Sequence, residues 1–410
     1  MEVTIGAIAA GGDGVGRLEE GLAVFVPRTA PGEVIELEIV ERKRRYARGR
    51  VVRVRSPGPD RVAPRCPHYE GDQCGGCQIQ HLSIEAQQRA KQRIVADALR
   101  RLGGRRIDDP ALTPSPSAWR YRARITLAAN RGRIGYHRHE RPGAVFDLED
   151  CHIARQSLMT LWRGVSEHRD RLPAGLVSVS LREDPAGGRH VVVAARDERA
   201  WDAGPLAAAV GDAAASFWWK PLRGVARVVA GPKSGFPALA FEQVHPEFGD
   251  RIRADALAAL GDVAGRVVWD LYAGTGDAAI RLAERGAVVW AVEADRRAAD
   301  WGVAEGRSRG LGDRLQWRAG LVEQEVSLLP VPDMVLVNPP RTGLSRSVAA
   351  TLEGWAKGRP GARASYVSCD PATLARDLTR LPSLGIHSLH TYDLFPQTAH
   401  VESVAVLEAV

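Results

Sequence analysis

The chain has 410 residues, 45% hydrophobic and 26% charged, with a formal net charge of +7. That is an ordinary globular composition, long enough for two or three separate cores, and it argues against both a disordered chain and a small disulfide-stapled one. No apolar run approaches the roughly 18 residues a spanning helix needs, and MEVTIGAIAAGGDGVGR carries no charged leader or cleavage site, so a cytoplasmic protein without a membrane partner is expected.

In chain order, residues 1–56 alternate in the strand manner, in VTIGAIA, LAVFVP, EVIELEIV and RGRVVRVRS, with Gly/Pro turns between them. They predict a small β-barrel. Its last part, Arg42 to Arg55, holds eight basic residues and no acidic one, a candidate polyanion surface in a chain of pI about 9.4. The Pro-rich exit SPGPDRVAPR leads into CPHYEGDQCGGC, which places Cys66, Cys74 and Cys77 within twelve residues. A fourth cysteine, Cys151, follows in LEDCHIARQ. In a cytosolic chain such clustering points to metal ligation or redox chemistry rather than disulfides.

Ile84, Ala90, Ile94, Ala98, Leu99 and Leu102 recur at helical spacing, predicting an arginine-rich amphipathic helix that stops at Gly103-Gly104. WRYRARITLAANRGRIGYHRHE then reads as two strands, so residues 57–240 are taken as a central α/β domain, whose stretch 155–235 carries few chemically telling residues. From residue 241 the pattern changes. The apolar runs VVWD, AVVWAVE, DMVLV and ASYVS alternate with helical stretches, as buried parallel strands with crossover helices do.

The first of these runs ends at Asp270 and opens LYAGTGDAAIRLAERG, and the next presents Glu293 near its end, 17 residues beyond Gly276. This is a nucleotide-binding βαβ unit: Gly274 and Gly276 allow a sharp turn and close backbone approach, and Glu293 can accept hydrogen bonds from two ribose hydroxyls. The glycines alone fit a nicotinamide-dependent dehydrogenase equally well. Asp270, suited to a methionine ammonium, and the turn Asn338-Pro339-Pro340-Arg341 both resemble class I S-adenosylmethionine-dependent methyltransferases instead.

SCDPATLARD (368–377) closes a later strand and HVESVAVLE (400–408) lies at the C-terminal end. With the NPPR turn and the cysteine cluster, these strings resemble the uracil-C5 RNA methyltransferase family, and the first 56 residues resemble its RNA-binding TRAM barrel, of the OB type. The resemblance implies a C-terminal Rossmann-like catalytic domain from residue 241, S-adenosylmethionine as methyl donor, Cys369 as the nucleophile that adds to C6 of uracil, and Glu402 as the base that removes the C5 proton. It further implies cofactor contacts from Gln243, Tyr272, Asp277 and Asn338, besides those already named. Three positions depart from the family: Asn338 stands where many members have Asp, Asp370 where Asn is usual, and His245 where Asn is usual. An NPP turn also occurs in enzymes that methylate exocyclic amines, but those need no nucleophilic cysteine.

Four thiolates at Cys66, Cys74, Cys77 and Cys151 suit zinc or an iron–sulfur cluster on spacing alone, and the resemblance implies [4Fe-4S]. The expected partner is RNA, ribosomal before transfer RNA, bound by a monomer. A base inside a stem cannot reach a buried thiolate, so the uridine must be unpaired or flipped, with Arg42–Arg55 and the arginine-rich helix on phosphates and Trp119, Tyr121 and Tyr136 stacking on bases.

Overall fold

The computed structural model describes residues 1–139, 141–196, 201–233, 237, 239–240 and 242–410. Glu140, the last residue of the string WRYRARITLAANRGRIGYHRHE, and Phe241, where the C-terminal domain is expected to begin, lie outside them. Strands β1 (Glu2–Ile8), β2 (Gly14–Arg17), β3 (Ala23–Val26), β4 (Val34–Arg42) and β5 (Tyr46–Ser56) close into a barrel in the order β1-β2-β3-β5-β4. The period-2 pattern sends Val3, Ile5, Val24, Val26, Ile35 and Leu37 inward. Because β4 and β5 are antiparallel neighbours, Glu36, Glu38 and Glu41 face the basic run, and Arg55, Arg50, Lys43 and Arg48 pair with them. The stretch that is purely basic in sequence is therefore partly neutralised in space.

After the one-turn helix α1 (Pro67–Glu70) comes α2 (Ile84–Arg101), capped by Ser83, whose side chain accepts from Ala86 N. Its buried face holds Ala86, Gln87, Lys91, Ile94, Val95 and Leu99, whereas Leu102 is exposed. Val95 and Leu99 share a core with Leu374, Ala375 and Leu378 far along the chain. The short strand β6 (Ala111–Thr113) runs parallel to β20, introduced below. Residues 84–113 thus pack on the C-terminal sheet, so the linear division at 57–240 does not follow the cores.

The central sheet is built from β7 (Arg124–Asn130) and β8 (Arg133–Gly135), then, beyond the hairpin β9 (His137–Arg138) and β10 (Arg141–Val145), from β11 (Leu176–Glu183), β12 (Arg189–Ala195), β13 (Ala215–Pro221) and β14 (Arg227–Ala230). Its order is β14-β13-β12-β11-β7-β8. Helices α3 (Gln156–Glu167) and α4 (Gly204–Val210) cover it through Leu158, Leu161, Trp162 and Leu206.

The C-terminal unit runs α5 (Pro246–Ala258), β15 (Val267–Leu271), α6 (Asp277–Glu284), β16 (Val288–Glu293), α7 (Arg296–Ser308), β17 (Leu315–Ala319), α8 (Val322–Glu325), β18 (Met334–Val337), α9 (Arg346–Ala356), β19 (Arg363–Ser368), α10 (Pro371–Leu378), β20 (Leu384–Tyr392) and β21 (Glu402–Ala409). The strand order is β17-β16-β15-β18-β19-β21-β20-β6. β15 to β19 pair in parallel, while β21 lies antiparallel between β19 and β20. This is a Rossmann-like sheet whose order reverses between β15 and β18, which opens a crevice at the carboxyl ends of those two strands. Among the described residues no helix is long and apolar enough to cross a membrane.

Candidate active site

β15 delivers Asp270 to that crevice fully buried, and its Oδ2 has no hydrogen-bond partner. Burial is the main reason its carboxyl is pushed up to about 7, against the opposing pull of Arg253. The chain then turns through Tyr272 (φ 65°) and Gly274 (φ 59°) into Gly276 (φ 89°), which starts α6. Gly276 is required twice over: its φ is left-handed, and a Cβ there would sit 2.5 Å from Trp317. Glu293, at the end of β16, accepts from Gly274 N at 2.8 Å and Asp295 N at 2.7 Å, so it braces the glycine turn. Gln243, Asp270, Tyr272, Gly274, Asp277 and Asn338 line one cavity. Gly276 and Glu293 frame the turn beside it.

The cavity also gathers Glu242, Asp250, Arg253 and Arg281, which sequence reasoning missed. Arg253 pairs with Asp250 and lies 3.5 Å from Asp277. Helical spacing along α5 was the available signal, since Asp250 and Arg253 are one turn apart.

Cys369 and Glu402 are outside that lining, one step along the sheet. Val367, two residues before the thiol, reaches the cavity wall. β19 and β21 pair with Ser368 opposite Ser403, bringing the thiol and the carboxyl into electrostatic contact. Cys369 is half-buried, and burial, with Glu402 adding, pushes its thiol up to about 11, while Arg341 pulls it down. Glu402 is buried with Oε2 unpartnered, and burial pushes it up to about 8, again opposed by Arg341. His400 is pushed down to about 4 by burial and by the nearby cations, chiefly Arg341, and is neutral at physiological pH.

Two of the three departures from the family, Asp370 and His245, acquire local explanations. Asp370 caps α10 by accepting from Thr373 N at 2.8 Å, a task Asn performs equally well. His245 precedes α5 and stacks on Tyr121 at 5.4 Å between ring centroids. The loop after Asn338 is gripped from α10: Thr373 Oγ1 donates to Arg341 O, Arg376 to Thr342 O, and Leu344 N donates to Asp377.

Cys66, Cys74, Cys77 and Cys151 come together around one cavity, each buried. Burial pushes Cys74 up to about 12 and raises Cys66 and Cys77 as well, with neighbouring cysteines adding to the rise. Gly76 N donates to Cys74 Sγ at 3.4 Å and Tyr136 OH to Cys151 Sγ at 3.8 Å. Arg122 lines the same cavity with a buried, unpartnered Nε. Among the described residues no group of three or more His, Cys, Asp or Glu is placed to hold a single metal ion.

The expected stacking aromatics separate. Tyr121 is buried and donates to Pro396 O at 3.0 Å, and Tyr136 faces the cysteines, so both serve the interior. Trp119 remains at the surface under Arg65, 5.3 Å from its ring centroid. Both lie outside the strands, Tyr121 before β7 and Tyr136 just after β8, and each turns toward an interior partner, Pro396 O for the first and the cysteine cavity for the second.

Comparison with known proteins adds an independent line. Residues 1–52 match the TRAM domain family and residues 331–410 the tRNA (Uracil-5-)-methyltransferase family. A 23S rRNA (uracil(1939)-C(5))-methyltransferase RlmD of Azoarcus sp. (strain BH72) is 30% identical over 97% of this chain and 97% of its own. The protein of the same name from Halomonas elongata is 31% identical over 99% of this chain and 89% of its own. Among solved structures, the tRNA (uracil-54, C5)-methyltransferase of Pyrococcus abyssi, in complex with S-adenosyl-L-homocysteine, superposes with a TM-score of 0.76 over 99% of both chains at 24% identity.

Proposed function

The chain belongs to the RNA uracil-C5 methyltransferase family, and from that premise we propose that Cys369 and Glu402 carry out S-adenosylmethionine-dependent C5 methylation of a uridine in ribosomal RNA. The observation that carries the assignment is the antiparallel register that sets a thiol, a buried carboxyl and the Arg341 guanidinium within electrostatic reach of one another, next to the cofactor crevice.

Uracil C5 is too weak a nucleophile to take a methyl group unaided. The Cys369 thiolate adds to C6, forming the S–C6 bond and moving the C5–C6 π pair into an enolate across C4–O4. The methyl donor supplies an electrophilic methyl on a sulfonium; C5 takes it, and the sulfur–methyl bond breaks. Glu402 accepts the C5 proton, the S–C6 bond breaks, and Cys369 leaves as thiolate while the double bond is restored. Arg341 favours the thiolate and the ionised base alike. Asp270 suits the donor's ammonium, Glu293 its ribose, and Asn338 the uracil edge or cofactor through two donors and one acceptor.

The cysteine site fits a [4Fe-4S] cluster. Four buried cysteines line one cavity, burial raises Cys66, Cys74 and Cys77, and the buried Arg122 beside them offers a compensating charge for thiolate ligands. When bound, the cluster ties residues 66–77 to 151; the sulfonium transfer needs no redox step. Five free cysteines suit a reducing cytoplasm.

The relatives' names make uridine 1939 of 23S rRNA the first target to test. Mapping 5-methyluridine in ribosomal and transfer RNA from cells with and without this protein decides it. Loss of a ribosomal site supports the reading, loss of a transfer RNA site moves the substrate, and an unchanged inventory overturns it.

A further inference from the structure

Glu402 is reached through a segment with no regular structure, residues 393–400, of which all but His400 are buried. Such a segment keeps its shape only if its backbone groups find partners elsewhere. Here they come from three distant parts of the chain, and most converge on Gln397.

Gln78 N and Ile79 N, immediately after Cys77, both donate to Gln397 O at 3.2 Å. From α2, Gln87 Oε1 accepts from Gln397 N at 2.8 Å, while Gln87 Nε2 donates to Gln397 Oε1 at 3.0 Å. Tyr121 OH holds the preceding carbonyl, Pro396 O. Gln397 itself is 1% exposed with φ 71°, a left-handed conformation that a non-glycine residue adopts at a cost and keeps only when its surroundings overdetermine it. The next turn of chain is equally confined: a Cβ on Gly12, in the barrel, would come 2.5 Å from Gln78 Cβ and 3.4 Å from Ala399 Cβ.

Cys369 follows β19 directly, next to the capped start of α10, and β19 pairs with β21, the strand that Glu402 opens. The segment also packs beside the crevice, because Leu394 and Phe395 share a core with Val268 of β15, Leu336 of β18 and Val367 of β19. The carboxyl lies nearest along the chain: Glu402, five residues beyond Gln397, is the first residue of β21 and pairs with Tyr392 of β20.

We infer that Gln397 is a positioning residue for Glu402, the strut through which the cysteine loop and α2 hold the base against the C5 proton. This extends the assignment of Glu402 as base and rests on it. Loosening the strut leaves thiol addition and methyl transfer in place and slows proton removal, so the methylated covalent adduct outlives its normal turnover.

The test uses full-length protein, ordinary uridine RNA containing the target site, and S-adenosylmethionine, with denaturing gels to count covalent complexes. Gln397→Gly keeps the left-handed backbone and removes the side chain; Gln87→Ala removes the partner and leaves Gln397 intact. Both are expected to lower kcat on the order of 10- to 100-fold, as sub-ångström to ångström misplacement of a catalytic group does, with KM for the cofactor unchanged and adduct accumulating. The double variant is expected to be no worse than either single one, because the two side chains act as one unit. Glu402→Gln runs beside them. If it accumulates adduct and the glutamine variants do not, the strut is overturned while the base stands. If Glu402→Gln itself leaves no adduct, the base assignment and the strut fall together. A drop in kcat accompanied by an equal drop in adduct formed with 5-fluorouridine RNA marks a general loss of structure and also overturns the strut.

Discussion

Cys369 and Glu402 flank the Ser368–Ser403 pair of β19 and β21, and the carboxylate raises the thiol that it follows in the proposed reaction. In the proposed reaction the two groups act in sequence, and their mutual influence depends on pH. Glu402 repels the thiolate only when ionised, which burial postpones to about pH 8. Below that, a neutral carboxyl leaves the thiol free of the repulsion.

Alkylation reads this directly. With iodoacetamide and peptide mapping at Cys369, the wild-type protein and Glu402→Gln are expected to react at equal rates below pH 7. Above pH 9 the variant is expected to react about two- to tenfold faster, since it lacks the anion that opposes its thiolate. Superimposable profiles over the whole range remove the coupling.

The same carboxyl sets the pH dependence of release. With a proton affinity near pH 8, about one molecule in ten carries the ionised base at pH 7. In rapid-quench single turnovers, breakdown of the methylated adduct is expected to rise nearly tenfold per pH unit from 6 to 7 and to level off above 8. Stability moves the other way. A carboxyl whose folded value lies above its unfolded one favours the folded state below the unfolded value, and that contribution is lost as pH rises toward 8. Glu402→Gln, which cannot ionise, is therefore expected to melt higher than wild type at pH 8.5, with the difference shrinking toward pH 5. A gap that widens on acidification contradicts the assigned direction.

Much of the catalytic half was legible in sequence because its signals are local. The glycines of the turn, the acidic ends of β15 and β16 and the strings around Cys369 and Glu402 each mark a strand end, and strand ends in a doubly wound sheet share one edge. The cysteines, separated by 74 residues between Cys77 and Cys151, were grouped by residue type and did meet. What stayed hidden depends on contacts between distant segments. Glu36, Glu38 and Glu41 answer the basic run only once β4 pairs with β5, and Tyr121 and Tyr136 turn inward to partners distant in sequence, Pro396 O and the cysteine cavity. α2 shows the point best: Gln87 and Lys91 sit on its buried face, and two polar residues four apart among Ile94, Val95 and Leu99 were the available sign that this face meets polar partners.

The cysteine centre separates iron from zinc by content. Anaerobically purified protein is expected to carry about four irons per chain with broad visible absorption, and Cys151→Ser is expected to lose both, since the proposed cluster takes one of its four ligands from that residue. One zinc per chain with no visible absorption contradicts the cluster and leaves the site structural. RNA affinity measured alongside shows whether the tie between residues 66–77 and 151 matters for binding.

The last prediction concerns the ion pair that anchors the segment entering β21. Lys91 and Asp393 are both fully buried; the ammonium also donates to Phe395 O at 3.0 Å, and Asp393 Oδ2 has no partner. Burial lowers the affinity of Lys91 for its proton, with Asp393 opposing that shift, so the pair exists because each charge needs the other. Removing one partner strands the other in an apolar interior, which costs about 3–5 kcal/mol, whereas removing both with shape kept approximately costs far less. Lys91→Met is accordingly expected to lower unfolding free energy in urea by about 3–5 kcal/mol, and Lys91→Met with Asp393→Leu to recover most of that loss. If the double variant is as unstable as the sum of both singles, the interaction is not a mutually dependent pair, and the segment is held chiefly by Gln87 and the cysteine loop.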